Sequence, residues 1–62
     1  MKEYIYVIVY TDGASRAGVG KAELSYDLAH ELAYSDEKPK TIHIYDGAIW
    51  HDYGYRLTLV EL

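Results

Sequence analysis

The chain has no cysteine and no phenylalanine, a single proline, and only six basic residues against ten acidic ones in 62 positions. Without cysteine there is neither a disulfide framework nor a thiolate zinc site. A domain this short then relies on ideal local structure, another kind of metal site or self-association. The formal charge of −4 opposes attraction to phosphate backbones and anionic membranes and excludes a basic nucleic-acid arm. No apolar run approaches the roughly 20 residues of a membrane helix. The opening Met1–Tyr10 segment lacks the charged, apolar and small-residue layout of a signal peptide. The expectation is a soluble, cytoplasmic protein. Chains of this size bury only about 60% of the surface that their unfolded state exposes, so residues 1–62 are expected to form one small domain with a thin core.

What is plentiful is tyrosine, with eight residues. Residues 3–11 read as a strand because Tyr, Ile, Val and Thr fill it. Ile5, Val7 and Val9 alternate with Tyr4, Tyr6, Ile8 and Tyr10, and two apolar faces suit a central strand. Asp12–Gly20 holds three glycines and reads as a loop. From Ser25 the period becomes helical, with Leu28, Ala29, Leu32 and Ala33 on one side. Ser25 is a candidate N-cap. Two starts are open: a longer helix from near Lys21, which is favoured, or a shorter one with Lys21–Leu24 returning as a strand. Ser35–Lys40, with the only proline, ends the helix. Ile42 and Ile44 alternate with Thr41, His43 and Tyr45, and Asp46-Gly47 is a hairpin-turn pair. Ala48–Asp52 pairs back, Tyr53-Gly54 breaks, and Tyr55–Leu62 runs as the last strand. The expected fold is α+β: one helix on one face of a three- to four-stranded, mainly antiparallel sheet. Its expected core is Ile5, Val7, Val9, Leu24, Leu28, Leu32, Ile42, Ile44, Leu57 and Leu59.

Two segments resemble catalytic motifs. Ser15–Ala22 is similar to a phosphate-binding P-loop, but Ser15 stands where the first glycine belongs and Ala22 where a magnesium-binding hydroxyl belongs. Tyr10-Thr11-Asp12-Gly13-Ala14-Ser15 resembles the opening of ribonuclease H domains, and the resemblance implies a metal-holding Asp12. Only six residues match. Glu23 or Glu31, with Asp46 or Asp52, would have to complete a two-metal carboxylate set, and the family's domain is more than twice this length. His30, His43 and His51 follow no ligand-spacing motif. No catalytic residue, metal or cofactor is assigned.

The aromatic pattern points instead to recognition. Tyr4, Tyr6 and Tyr10 share one strand face, and His43 and Tyr45 alternate in the same sense on another, with Trp50 and Tyr53 at the border. The expectation is a partner-binding tyrosine surface on the sheet side away from the helix, because tyrosine offers large contact area at low entropy cost. A base-stacking, single-strand nucleic-acid surface is the alternative, opposed by the scarcity of Lys and Arg around the rings. Asp27, Glu31, Asp36 and Glu37 along and beyond the helix form a candidate acidic edge for steering toward a basic partner surface. In size, lack of cysteine and one-helix layout the chain resembles the small inhibitor proteins of bacteriophages, including anti-CRISPR proteins. That resemblance implies a stoichiometric binder that blocks a larger, nucleic-acid-handling protein, and a homodimer through the same surface is also open.

Overall fold

The computed structural model describes all residues, Met1–Leu62. The elements run β1 (Lys2–Tyr10), β2 (Ser15–Ala22), α1 (Ser25–Tyr34), β3 (Lys40–Tyr45), β4 (Trp50–Tyr55) and β5 (Leu59–Glu61). The strands make one antiparallel sheet in the order β2-β1-β3-β4-β5. The α+β class holds, with five strands rather than three or four. Because β2 and β3 both run antiparallel to β1 and flank it, the helix that joins them crosses over β1. No helix is long and apolar enough to cross a membrane.

The extra strand is the glycine-rich segment. Ser15–Ala22 is not a loop: it pairs with β1 along its whole length, after a turn in which Gly13 takes a φ of 95° and Asp12 Oδ1 accepts a hydrogen bond from Ala14 N at 2.9 Å. Its glycines provide clearance. Gly18 lies opposite Tyr6 and Gly20 opposite Tyr4. A β-carbon at Gly18 would fall 2.7 Å from Tyr6 Cζ, and one at Gly20 would fall 2.7 Å from Leu28 Cδ1. The Tyr6 ring thus fills the space that Gly18 leaves open, a device that rescues glycine in sheets, and the Leu28 side chain of the helix fills the space over Gly20. Lys21 and Ala22 end this strand, so the helix is the shorter of the two expected forms. Leu24 is the N-cap and has no side-chain acceptor, while Asp27 Oδ2 accepts from Leu24 N at 3.1 Å. Ser25, expected as the cap, is the first helical residue.

The second hairpin also shifts. Asp46 N donates to Ile49 O at 3.2 Å, and Gly47, with φ 99°, is the first central residue, so the turn centres on Gly47-Ala48 and β4 begins at Trp50. Tyr53-Gly54 does not break the chain but lies inside β4. The break comes at residues 56–58, leaving Leu57 85% exposed at a turn tip rather than in the core.

The core is built from the opposite face of β1 to the one expected. Tyr4 and Ile8 are buried and Tyr6 and Tyr10 are partly buried against Leu28, Ala29, Leu32 and Ala33, whereas Ile5 is 51% exposed and Val9 is also turned out. Ile42, Ile44, Leu28 and Leu32 are core as expected, Leu59 packs against it, and Leu24 is exposed. The reason is volume and polar satisfaction together. Ala29 and Ala33 are the small residues of the helix stripe, and long rings fill the space beside it. The phenol tips reach the rim and bond there: Tyr4 Oη to Glu23 O at 3.4 Å, Tyr10 Oη to Asp36 Oδ2 at 2.7 Å, and Tyr53 Oη with Ser25 Oγ at 2.8 Å. An aliphatic set beneath the helix would leave those polar groups without these bonds.

Lys40 closes the other end of the helix. Its side chain is fully buried, and its Nζ donates to Leu32 O and Ala33 O, both at 3.0 Å, and to Asp36 Oδ1. Its cross-strand neighbours Tyr10 and Tyr55 place their ring centroids 5.4 and 5.6 Å from the ammonium. The last helical turn has no basic residue, so a lysine from β3 supplies the cation that helix C-termini favour. Lys40→Met should destabilise the fold by about 2–3 kcal/mol in urea unfolding, because two helix carbonyls and Asp36 lose a charged donor. Tyr4→Ala should cost roughly 3 kcal/mol by the same measurement, as expected of a buried ring and not of a surface contact.

Candidate functional site

With the tyrosines of β1 and β4 taken up by the helix side, the other sheet face is left uncovered by any element, and its composition is set by register. Three cross-strand rows run over it: Val19–Ile5–Tyr45–Trp50, then Ala17–Val7–His43–Asp52, then Ser15–Val9–Thr41–Gly54–Val60. Ile5, Val9, Val19, Trp50 and Val60 are all exposed. Leu62 lies over Gly54, extending the last row. Five exposed apolar side chains thus stand together on one uncovered face.

Of the residues expected on this surface, His43, Tyr45 and Trp50 are there. Tyr4, Tyr6, Tyr10 and Tyr53 are not, since they belong to the helix side, where Tyr53 is 1% exposed. The surface is therefore aliphatic with one aromatic corner, not a tyrosine tile. Ile5, Val7, Val9 and Val19 were missed, the first three because both faces of β1 are apolar. Val19 was missed because its segment read as a loop. The signal that separates the faces is the Tyr-x-Tyr spacing of β1 matched to Gly-x-Gly in β2, which places rings and glycines on the same side.

The rows carry little charge. Glu3 stands opposite Lys21 at one end. In the central row His43 Nδ1 and Asp52 Oδ1 lie 2.7 Å apart, and Tyr45 and Trp50 sit beside them with ring centroids 5.1 Å apart. Val7, His43, Trp50 and Asp52 line a shallow, open recess of about 480 Å³.

The remaining titratable candidates are dispersed and engaged. His51 is on the helix side and pairs with Asp46, Nε2 to Oδ2 at 2.7 Å. His30 lies on the outer helix face between Tyr26 and Tyr34, 4.6 Å from the Tyr34 ring. Asp12 is tied into its own turn. No group of three or more His, Asp or Glu side chains is placed to hold a metal ion, so the carboxylate set that the ribonuclease H resemblance implies is not assembled. Ser15–Ala22 is a regular strand with no phosphate-cradling loop. All four residues of the acidic edge are exposed, but Asp27 is engaged in capping the helix start and Asp36 in pairing with the buried Lys40, which leaves Glu31 and Glu37 without a side-chain partner.

Asp36 and Asp46 are both held well below the usual carboxylate range. For Asp36 the cause is first the Lys40 ammonium, then the Tyr10 hydroxyl and the Lys38 N–H. For Asp46 it is first His51, then the N–H groups of Ile49 and Ala48. The same Asp36 bond raises the Tyr10 phenol, and burial raises those of Tyr53 and Tyr55. No family model, curated protein or solved structure matches the chain.

Carboxylates with depressed folded pKa values stabilise the fold fully above the unfolded value of about 4, and the contribution is lost as pH falls from there toward the folded values. Stability should therefore fall between about pH 4 and pH 2. Asp36→Asn should be less stable at neutral pH yet show a shallower acid limb, read from urea midpoints across that range; parallel limbs would reject the assignment.

Proposed function

We propose that the protein is a non-catalytic protein-binding module, a stoichiometric inhibitor or adaptor that occupies a surface of a larger protein with its open sheet face. The observation that carries this reading is the set of three registered rows, apolar over most of their length and covered by no element of the chain. Trp50 and Tyr45 supply the large amphipathic rings that concentrate binding energy at interfaces.

The partner that fits is a protein with a flat apolar patch bordered by basic groups. Ten acidic residues against six basic ones give a field that speeds encounter with such a surface and repels nucleic acid. The three rows hold no Lys or Arg, and only Lys21, opposite Glu3 at their edge, adds a cation, too few for a single-strand platform, which needs cations that track the backbone. Bacteriophage inhibitors that target nucleic-acid-handling enzymes, anti-CRISPR proteins among them, are the group whose layout and mode of action this reading resembles.

The test is capture from host lysate with mass readout, comparing the wild-type chain with a Trp50→Ala, Val7→Ser double variant. Both side chains lie on the open face, so the variant should keep its fold, with a small change in thermal midpoint, and lose the captured protein by at least about tenfold. Capture unchanged by the variant would reject this face. Sedimentation run alongside gives a second rejection: a wild-type dimer that the double variant disperses would make a second copy the occupant.

A further inference from the structure

The central row of the open face holds a carboxylate that the chain uses only in part. Asp52 Oδ1 is hydrogen-bonded with His43 Nδ1, its Oδ2 has no hydrogen-bond partner within the chain, and no lysine or arginine forms an ion pair with it. Two residues earlier on the same strand, Trp50 stands half-exposed on the same face and is backed by Tyr45. Val7, opposite His43, completes the recess between them.

A carboxylate, an indole and an aliphatic floor in one shallow recess match a single ligand chemistry, a flat cation on an apolar stem. The carboxylate accepts from such a cation in a charge-assisted bond. The indole attracts it through the negative face of its ring. The valine packs against methylene groups, as the stems of long basic side chains require. A guanidinium meets all three demands because it is planar, weakly hydrated and able to stack, whereas an ammonium is a compact, strongly hydrated point charge. A neutral apolar side chain would desolvate Asp52 without pairing it, and an anion would be repelled.

We propose that the Val7–His43–Trp50–Asp52 recess receives an arginine side chain of the protein that docks on the open face. The inference rests on the protein-binding reading of that face and adds to it the chemistry of the group at its centre.

The probe is acetyl-Val-Arg-Val-amide, set against the same peptide with citrulline in place of arginine, which keeps the shape and removes the charge. Trp50 is the only tryptophan in the chain, so its emission reports the recess directly, and amide NMR shifts locate the contact. The arginine peptide should shift Val7, His43, Trp50 and Asp52 and bind roughly five- to tenfold more tightly than the citrulline peptide. Asp52→Asn should bring the two peptides to equal affinity. Equal affinity for the wild-type protein would overturn the proposal, as would shifts confined to the Glu31 and Glu37 side of the molecule. The citrulline comparison leaves the protein unaltered, so it stands even if the Asp52 variant unfolds. In lysate capture, loss with Trp50→Ala but no change with Asp52→Asn would overturn the arginine recess while leaving the binding face in place. Capture indifferent to Trp50→Ala would count against the face itself.

Discussion

The buried ammonium of Lys40 is the interaction on which the layout of this small protein turns. A ten-residue helix is too short to be stable alone, and its C-terminal carbonyls need partners if that end is to lie on a sheet. Lys40 meets this need from a neighbouring strand, bonding Leu32 O and Ala33 O and pairing with Asp36, while the rings of Tyr10 and Tyr55 flank it. The arrangement ties the helix end to β3 and places an aromatic ring from each adjacent strand beside the ammonium. Tyr10 meets a further demand, because its hydroxyl bonds the same Asp36.

Once Tyr10 is held on the helix side, strand alternation places the rest of β1. Tyr4, Tyr6 and Ile8 must face the helix, and Ile5, Val7 and Val9 must face away. The consequence runs across the sheet through register: β2 turns Gly18 and Gly20 toward the rings and Val19 outward, and β3 turns Ile42 and Ile44 inward and His43 and Tyr45 outward. The open apolar face is thus the other side of the same decision that buries the tyrosines. A polar tip suits a ring that reaches the rim of a thin core, where Ser25, Glu23 O and Asp36 wait as partners. Aliphatic side chains carry no such tip, and here they remain on the face that no element of the chain covers.

Parts of this were legible in the residues. The periodicity of Leu28, Ala29, Leu32 and Ala33, the alternation around Ile42 and Ile44, and the outward placement of His43 and Tyr45 follow from local pattern, because in each case one face is clearly more apolar than the other; β4 has no such bias, and Trp50 and Tyr53, expected together at the border, lie on opposite faces. The glycine-rich segment misled because glycine is counted as a loop former, although Gly18 and Gly20 serve the close approach of Tyr6 and Leu28. Lys40 sits in a polar stretch that reads as linker, and nothing local indicates that its side chain is buried. Asp52 likewise gains meaning only when β3 and β4 set it beside His43 and near Trp50.

By itself the chain's order of residues determined one helix with an aliphatic stripe, strands rich in β-formers, the α+β class and an acidic balance, since these depend on short-range periodicity and composition. Only the tertiary structure decided which side of β1 is interior, that the glycines form a fifth strand, and that a largely aliphatic sheet face with a shallow recess is left uncovered. Those outcomes depend on the volume beneath a small-residue helix and on where hydroxyls and one ammonium find partners across the sheet, and such long-range complementarity is absent from any local pattern.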